Sequence, residues 1–282
     1  MANLLAEILR RKREDVAELL RTRTEDSFRS NALCVREKAE PHRLRKPLAA
    51  KNPELKIIAE YKRRSPSKGI IREDLPPADA ASIYEKAGAC AISVLTERQF
   101  FGGSIDDLRD VRAATALPLL RKDFIIHPVQ IFQAAETGAD AVLLIAAVLD
   151  DEALRELRSI AEEECGLDAL IEVHTKEEMG RAAHCGAKII GINNRDLTTF
   201  EVSLSTSEAL VRHAPDEALL ISESGLKTGE DLSRLRTLGF DGFLIGETLM
   251  QSDNPGDALR KLVETCGSRP ATALRSDIGD AN

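Results

Sequence analysis

The sequence lacks the marks of several protein classes. It has no tryptophan, and its five cysteines are scattered without C-x-x-C or His-rich spacing. An odd, unpatterned set of cysteines argues against a zinc site or a disulfide framework and favours a reducing compartment. No apolar run is long enough to span a bilayer, and the N-terminus lacks the order of a secretory signal. We therefore expect a cytoplasmic protein with no membrane partner.

An excess of positive charge is also absent. The net charge is −8, so we expect no bulk attraction to nucleic acid. Local basic loops can still bind a small anion. The chain has 282 residues, of which 43% are hydrophobic. That is enough for one large core, because α/β barrels of roughly 250 residues fold as one domain.

What the sequence does contain is a regular alternation. Short apolar, β-compatible runs alternate with amphipathic runs rich in Ala, Glu and Arg. The apolar runs are 56–61, 90–95, 118–122, 140–146, 168–173, 188–193, 218–223 and 241–246. The helical stretches between them include 78–87, 105–114, 128–137, 151–165, 176–183, 205–213 and 229–238. Glycines that can stop a helix follow four of these stretches: Gly88, Gly138, Gly186 and Gly239.

Eight βα units predict an α/β fold, a closed (β/α)8 TIM barrel. An open doubly wound sheet is the alternative, but no G-x-G-x-x-G motif follows the first strand. Residues 2–21 have apolar positions near helical spacing, and 22–55 are polar and broken by prolines. We predict a helical extension over 1–50, packed on a barrel of 51–266, and a disordered tail over 267–282. The extension is either a stabilising cover or a cover over the active site.

Charged and polar side chains stand at the carboxyl ends of the predicted strands, where barrels of this class form their active sites. They are Glu60, Lys62, Lys122, Glu172, Asn193, Arg195 and Glu223. Each one alone could be a solvated charge, a partner for a helix end or a turn cap. Together they would converge on one mouth, where lysines and carboxylates shift one another's pKa values. That setting favours general acid–base chemistry.

Two glycine-containing turns indicate a phosphate site. Ser224-Gly225 and Gly246-Glu247 follow the last two strands, where such barrels often bind phosphate through backbone N–H groups. Two ordinary turns are the alternative. Ser65, in the basic loop after the first strand, could add a contact. No metal spacing surrounds His127 or His174, so we interpret both as loop or supporting residues and predict no metal.

Over residues 1–265 the chain resembles the indole-3-glycerol-phosphate synthase family of tryptophan biosynthesis. The resemblance lies in a combination of motifs at the predicted strand ends. They are I-I-A-E-Y-K-R-R-S-P-S-K-G, V-L-T-E-R-Q-F-F-G-G-S, L-L-R-K-D-F-I-I, A-V-L-L-I-A-A-V-L, I-E-V-H-T, I-G-I-N-N-R-D-L and S-E-S-G. The family's reaction closes the pyrrole ring of indole on a phosphorylated substrate, with loss of CO₂ and water and no cofactor.

The resemblance implies catalytic roles. Lys122 would protonate the substrate carbonyl oxygen, and Glu172 would be the acid/base of the dehydration. Glu60 and Lys62 would be partners, Lys62 facing the anthranilate carboxylate. Asn193 and Glu223 complete the catalytic set.

The resemblance also implies binding roles. Arg195 would position the substrate. Apolar walls would come from Phe101, Phe124, Leu143 and Leu144, and phosphate contacts from Ser65, Ser224, Gly225, Gly246 and Glu247, the last through its backbone only. Another phosphosugar barrel enzyme and a non-catalytic phosphate-binding barrel stay as competing interpretations. We expect a monomer, with a weak homodimer as the alternative.

Overall fold

The computed structural model describes residues 4–197 and 199–267, and over these residues eight parallel strands close into a barrel. The strands are β1 Ile57–Tyr61, β2 Ala91–Leu95, β3 Leu119–Lys122, β4 Ala141–Ile145, β5 Asp168–Val173, β6 Ile189–Asn193, β7 Leu219–Glu223 and β8 Gly242–Ile245. Each strand pairs with the next along the chain, and β8 pairs with β1. The predicted (β/α)8 barrel is confirmed, and each strand ends within one residue of its predicted run.

Helices lie on the outside of the barrel, one between each pair of successive strands and two after β8. They are α4 Pro77–Lys86, α5 Ile105–Ala114, α6 Pro128–Glu136, α7 Asp151–Ser159, α8 Lys176–His184, α9 Ser205–Leu210, α10 Gly229–Thr237, α11 Glu247–Met250 and α12 Pro255–Thr265. A π-helical turn, Ile160–Glu164, extends α7, and a 3-10 turn, Val211–His213, extends α9. The short antiparallel pair Arg64–Ser65 and Gly69–Ile70 follows β1. Each helix in the described part of the chain is too short or too polar to span a membrane.

Two apolar layers form the core, because successive side chains of a strand point to opposite faces. Ile58, Leu120 and Leu170 belong to the layer inside the barrel. Ile57 and Ile171 belong to the layer between the strands and the helices. Because apolar side chains fill the inside of the barrel, polar side chains can point inward at the carboxyl ends of the strands.

The N-terminal extension contacts both ends of the barrel. It consists of α1 Leu4–Thr22, α2 Glu25–Arg36 and α3 Arg45–Ala49. Ile8 of α1 joins the inner apolar layer from the carboxyl-end side, and α2 packs along α6. At the other end Leu44 and Leu48 join the same layer, and a Cβ on Gly242 would lie 2.9 Å from Leu48 Cδ2. The extension therefore closes the amino end of the barrel as well as flanking its mouth. The tail predicted for 267–282 lies outside the described residues, apart from Gly267.

Ion pairs fasten the extension to the amino ends of the strands. Arg43 Nη1 lies 3.0 Å from Asp140 Oδ2, beside the start of β4. Arg45 Nε lies 2.6 Å from Asp168 Oδ1, the first residue of β5. Both carboxylates are buried, so each needs a cationic partner.

A buried ion pair fastens α1 at the mouth. Lys12 is only 5% exposed, and its Nζ lies 2.8 Å from Asp123 Oδ1, just beyond β3. Arg121 Nη2 and Thr96 Oγ1 contact the other carboxylate oxygen at 3.1 and 2.7 Å. Burial alone would raise the pKa of Asp123, but the charges of Lys12 and Arg121 outweigh it and lower the pKa from 3.8 to about 2. Since the pKa is lowered on folding, this stabilisation is present above pH 3.8 and is lost as the pH falls through about 2.

Replacing Lys12 by Met should destabilise the protein, because Asp123 stays buried with one cation fewer. We expect the free energy of unfolding in urea to fall by about 3 kcal/mol, the scale for a buried pair that loses one partner. Lys46→Met is the matched control, since Lys46 and its partner Glu40 are 50% and 61% exposed and should give little change. Equal effects of the two substitutions would contradict the buried-pair account.

Candidate active site

A cavity of about 610 Å³ lies at the carboxyl ends of the strands. Every strand of the barrel contributes to its wall through one of these residues: Glu60, Leu95, Lys122, Ile145, Glu172, Asn193, Glu223 and Ile245. Five of the seven polar residues predicted near strand ends, Glu60, Lys122, Glu172, Asn193 and Glu223, therefore reach one cavity. Lys62 and Arg195 also line it, from the loops after β1 and β6.

Lys122 is the centre of the charged cluster. Its Nζ lies 2.7 Å from Glu172 Oε2 on β5 and 2.9 Å from Glu223 Oε2 on β7. Asn193 pairs with Glu223 across the β6–β7 ladder, and its Oδ1 accepts the backbone N–H of Arg195 at 3.0 Å. Glu172 and Glu223 are 2% and 1% exposed. One ammonium group thus faces two carboxylates with almost no solvent between them.

The pKa values of the two carboxylates shift in opposite directions. Burial would raise the pKa of Glu172, but Lys122, His174 and the Asn193 hydrogen bond lower it. Burial raises the pKa of Glu223 to about 7, with repulsion from Glu172 and Glu60, and Lys122 offsets this only in part. Burial would lower the pKa of Lys122, but the surrounding carboxylates outweigh it and raise that pKa. At neutral pH the arrangement holds a charged Lys122, a charged Glu172 and a Glu223 that is partly protonated.

A second ion pair lies beside the first. Lys62 Nζ is 2.9 Å from Glu60 Oε1, and Ser93 Oγ donates to Glu60 Oε2 at 3.5 Å. A Cβ on Gly246 would lie 2.5 Å from Glu60 Oε1. The glycine after β8, predicted for phosphate binding, therefore also makes room for this carboxylate.

Gly191 was missed by sequence reasoning. It pairs with Glu172 across the β5–β6 ladder, and a Cβ there would lie 2.0 Å from Glu223 Oε1. Because glycine has no side chain, the Glu223 carboxylate can occupy the space beside it. An isolated glycine inside a strand can mark such a close approach, and that is the signal that could have found it.

Apolar side chains form one wall of the cavity. The rings of Phe101 and Phe124 lie 6.3 Å apart between centroids, and Leu143 is beside them on the wall. Leu5 and Ile8 of α1 also line the cavity, which favours the extension as a cover over the site. Leu144 does not line it. That side chain points outward into the layer beneath the helices, and Ile145 stands on the cavity wall instead.

A buried glutamate that sequence reasoning missed holds the loop that carries Phe101. The carboxylate of Glu97, 2% exposed, accepts the backbone N–H groups of Gln99, Phe100 and Phe101 at 3.0, 2.7 and 2.9 Å. The position of the Phe101 ring thus depends on a carboxylate that does not line the cavity.

The predicted phosphate turns form the rim on the opposite side. Ser224 and Gly225 both have positive φ, 66° and 77°, and Gly246 caps the short α11. The Glu247 carboxylate lies 3.3 Å from Arg195 Nη2 and 3.7 Å from Lys68 Nζ. The rim therefore combines two tight turns with two cations.

The basic loop after β1 contributes less than its sequence predicts. Ser67 and Lys68 line the cavity, whereas Ser65 is buried with its Oγ 3.4 Å from Ser67 Oγ and is not part of the wall. Arg63 pairs with Asp107 at 2.5 Å and Arg64 donates to a backbone carbonyl at 3.0 Å. Those two arginines are used to hold the loop.

The histidines support neighbouring elements. His127 Nδ1 accepts the backbone N–H of Val129 at 3.2 Å and so caps α6. His174 lies behind Glu172, with Nε2 3.5 Å from Glu172 Oε1. Over residues 4–197 and 199–267, no three His, Cys, Asp or Glu side chains are grouped so as to hold a metal ion.

Comparison with known proteins assigns nearly the whole chain to the family that the sequence motifs resemble. The profile of the family described as "Indole-3-glycerol phosphate synthase" matches residues 5–262. The chain belongs to the indole-3-glycerol phosphate synthase family. The match includes α1, so the extension is part of what the family shares.

Curated relatives of that name span this chain almost end to end. The protein of Albidiferax ferrireducens is 43% identical over 266 residues, covering 94% of this chain and all of its own. That of Desulfotalea psychrophila is 45% identical over 262 residues, covering 93% and 99%. A solved thiamine phosphate pyrophosphorylase from Pyrococcus furiosus, with a TM-score of 0.57 and 17% identity over 76% of this chain and 96% of its own, shares the fold.

Replacing Gly191 by Ala should destabilise the protein, because the added methyl group collides with Glu223. We expect the free energy of unfolding to fall by about 1 to 3 kcal/mol, the usual range for overpacking. Gly180→Ala is the control, since nothing lies within 4 Å of a Cβ there and helix propensity should raise stability by about 0.5 to 1 kcal/mol. A neutral or stabilising Gly191→Ala would refute the close approach.

Proposed function

We propose that the cavity converts 1-(2-carboxyphenylamino)-1-deoxyribulose 5-phosphate to indole-3-glycerol phosphate, with release of CO₂ and water. The protein would thus be a carboxy-lyase that needs no cofactor. The observation that carries this proposal is the contact of Lys122 with Glu172 and Glu223, next to an apolar wall. A buried ammonium beside carboxylates can deliver and recover a proton, and the wall suits an aromatic ring.

Ring closure is the first step. The ring carbon that bears the carboxylate attacks the ketone carbon, and the electron pair of the C=O bond moves to oxygen. Lys122 donates a proton to that oxygen as the new C–C bond forms. The raised pKa of Lys122 keeps it protonated before the step. Lys62, paired with Glu60 at 2.9 Å, faces the substrate carboxylate without binding it so tightly that its departure is opposed.

Decarboxylation and dehydration follow. The C–C bond to the carboxylate breaks and CO₂ leaves. The electron pair of that bond stays with the ring and neutralises the iminium formed by ring closure. A base then removes a proton from the neighbouring carbon while the hydroxyl leaves as water with a proton from an acid. Glu172, whose pKa is lowered, suits the base, and Glu223, whose pKa is raised to about 7, suits the acid. Asn193 helps to keep the pKa of Glu172 low.

The substrate phosphate would bind at the rim opposite the apolar wall. Backbone N–H groups of Ser224, Gly225, Gly246 and Glu247 would face it, with the cations of Lys68 and Arg195 beside them. The Glu247 carboxylate already contacts both cations. Phosphate would therefore share these two cations with an internal carboxylate.

We also propose that the protein is cytoplasmic and monomeric, with a weak homodimer as the alternative. All five cysteines are free thiols, which suits a reducing compartment. The described part of the extension, residues 4–50, packs against its own barrel of 51–266, so it does not need a second copy to cover its apolar residues. Sedimentation velocity would distinguish the two assemblies.

Turnover can be tested directly by indole fluorescence, because the chain contains no tryptophan to give background. We expect product from the anthranilate-derived ribulose phosphate without added metal or nucleotide. Loss of activity in EDTA that added metal restores would count against the proposal.

Replacing Lys122 by Ala should remove the proton donor of ring closure. We expect kcat to fall by about 10²- to 10⁴-fold, the range for a general acid, while affinity for a product analogue stays measurable by calorimetry. Lys86→Ala, at an exposed position in α4, is the control and should keep full activity. Wild-type turnover in Lys122→Ala would reject the role.

A further inference from the structure

A row of titratable side chains leads from Lys122 through the barrel wall. Lys122 Nζ lies 2.7 Å from Glu172 Oε2, and the other oxygen of Glu172 lies 3.5 Å from His174 Nε2. His174 Nδ1 lies 3.3 Å from Glu178 Oε2, in the first turn of α8. The side chains of Glu172, His174 and Glu178 are 2%, 11% and 15% exposed. The row therefore runs from the buried cluster towards solvent on the outside of the barrel.

His174 stands between the two glutamates and does not line the cavity. Its Nε2 is buried without a hydrogen-bond partner, and the Glu172 oxygen is 3.5 Å away. Glu178 holds the residue in place, because Glu178 Oε2 also accepts the His174 backbone N–H at 2.7 Å. The charged groups that face the ring are Glu172 on β5, Glu178 on α8 and Glu223 on β7. Burial would lower the pKa of His174, but these carboxylates raise it.

The reaction under "Proposed function" creates a need for such a row. The substrate carboxylate is an anion that leaves as neutral CO₂, so each turnover takes up one proton. Dehydration takes a proton from carbon onto Glu172 and gives the leaving water one from Glu223, so it takes up no proton from solvent. The proton on Glu172 can return to Glu223 through Lys122, which contacts the two carboxylates at 2.7 and 2.9 Å. The deficit that remains is the proton that Lys122 gives to the ketone oxygen. It must be replaced from solvent, while substrate or product fills the cavity and α1 flanks the mouth.

We propose that His174 and Glu178 form a proton relay that recharges Lys122 through Glu172 from the outer side of the barrel. The proton passes from solvent to the His174–Glu178 pair, then from His174 Nε2 to Glu172 Oε1, and from Glu172 Oε2 to the amine of Lys122. No bond other than N–H and O–H forms or breaks, and no electrons are exchanged. His174 acts through Glu172 and is a positioning and relay residue, since it does not line the cavity.

The test replaces His174 by Gln, which keeps a hydrogen-bonding side chain but cannot carry the proton. We expect kcat to fall by at least about 10-fold, less than for a direct acid or base, with KM little changed. The solvent deuterium isotope effect on kcat should rise as reprotonation becomes rate-limiting. Added imidazole should restore part of the rate. Glu178→Gln should shift kcat and the isotope effect in the same direction.

His184→Gln is the matched control, because His184 is exposed on α8 and its Nδ1 lies 2.9 Å from the Gly180 carbonyl one turn earlier in the same helix. It should keep the wild-type kcat and isotope effect, and added imidazole should not change its rate. An unchanged kcat and isotope effect in His174→Gln would overturn the relay. If that variant does not fold, the same result in Glu178→Gln would overturn it.

The relay rests on the role of Glu172, so Glu172→Gln is measured alongside. Full activity in Glu172→Gln would overturn both the proposed function of the cluster and the relay. Loss of activity in Glu172→Gln with full activity in both relay variants would overturn the relay alone.

Discussion

The candidate active site depends on one interaction, the contact of the Lys122 ammonium with two carboxylates that come from other strands. β3, β5 and β7 each bring one charge to a point that is almost closed to solvent. Such a cluster is costly to bury, and removing a partner costs more than the pair contributes. The barrel offsets this cost by holding every strand in register, with Gly191 leaving room for Glu223. Since the pKa of Glu223 is raised, its contribution to stability is present below its usual value of 4.5 and is lost as the pH rises through about 7.

The N-terminal extension contributes to the same geometry from both ends of the barrel. Leu48 fills the amino end, and the Lys12–Asp123 pair ties α1 to the residue that follows Lys122. Ile8 then forms part of the cavity wall. The extension thus links folding to the site, because the helix that flanks the mouth is fastened one residue from the central lysine.

Much of the fold could be predicted from the sequence, and so could the polar half of the site. Short apolar runs predict buried strands. A charged residue at the carboxyl end of such a run is expected at the mouth of a barrel. The faces of β4 could not be predicted, because A-V-L-L-I has no polar residue to mark the inward side, and so Leu144 was assigned to the wall that Ile145 occupies. Lys12 could not be found either, since a lysine in an amphipathic helix is usually solvated. Its burial depends on Asp123, which is 111 positions away (123 − 12) and adjacent only in the fold.

The most direct test of the central claim is the ionisation of Glu223 itself. Infrared difference spectroscopy across a pH titration would follow the carbonyl band of a protonated carboxylic acid. We expect a band that persists to about pH 7, is absent from Glu223→Gln and remains in a protein altered only at the exposed Glu85. If no carboxyl group stays protonated above about pH 5, near the ordinary pKa of a glutamate, the three charges do not share one desolvated point and the account is contradicted.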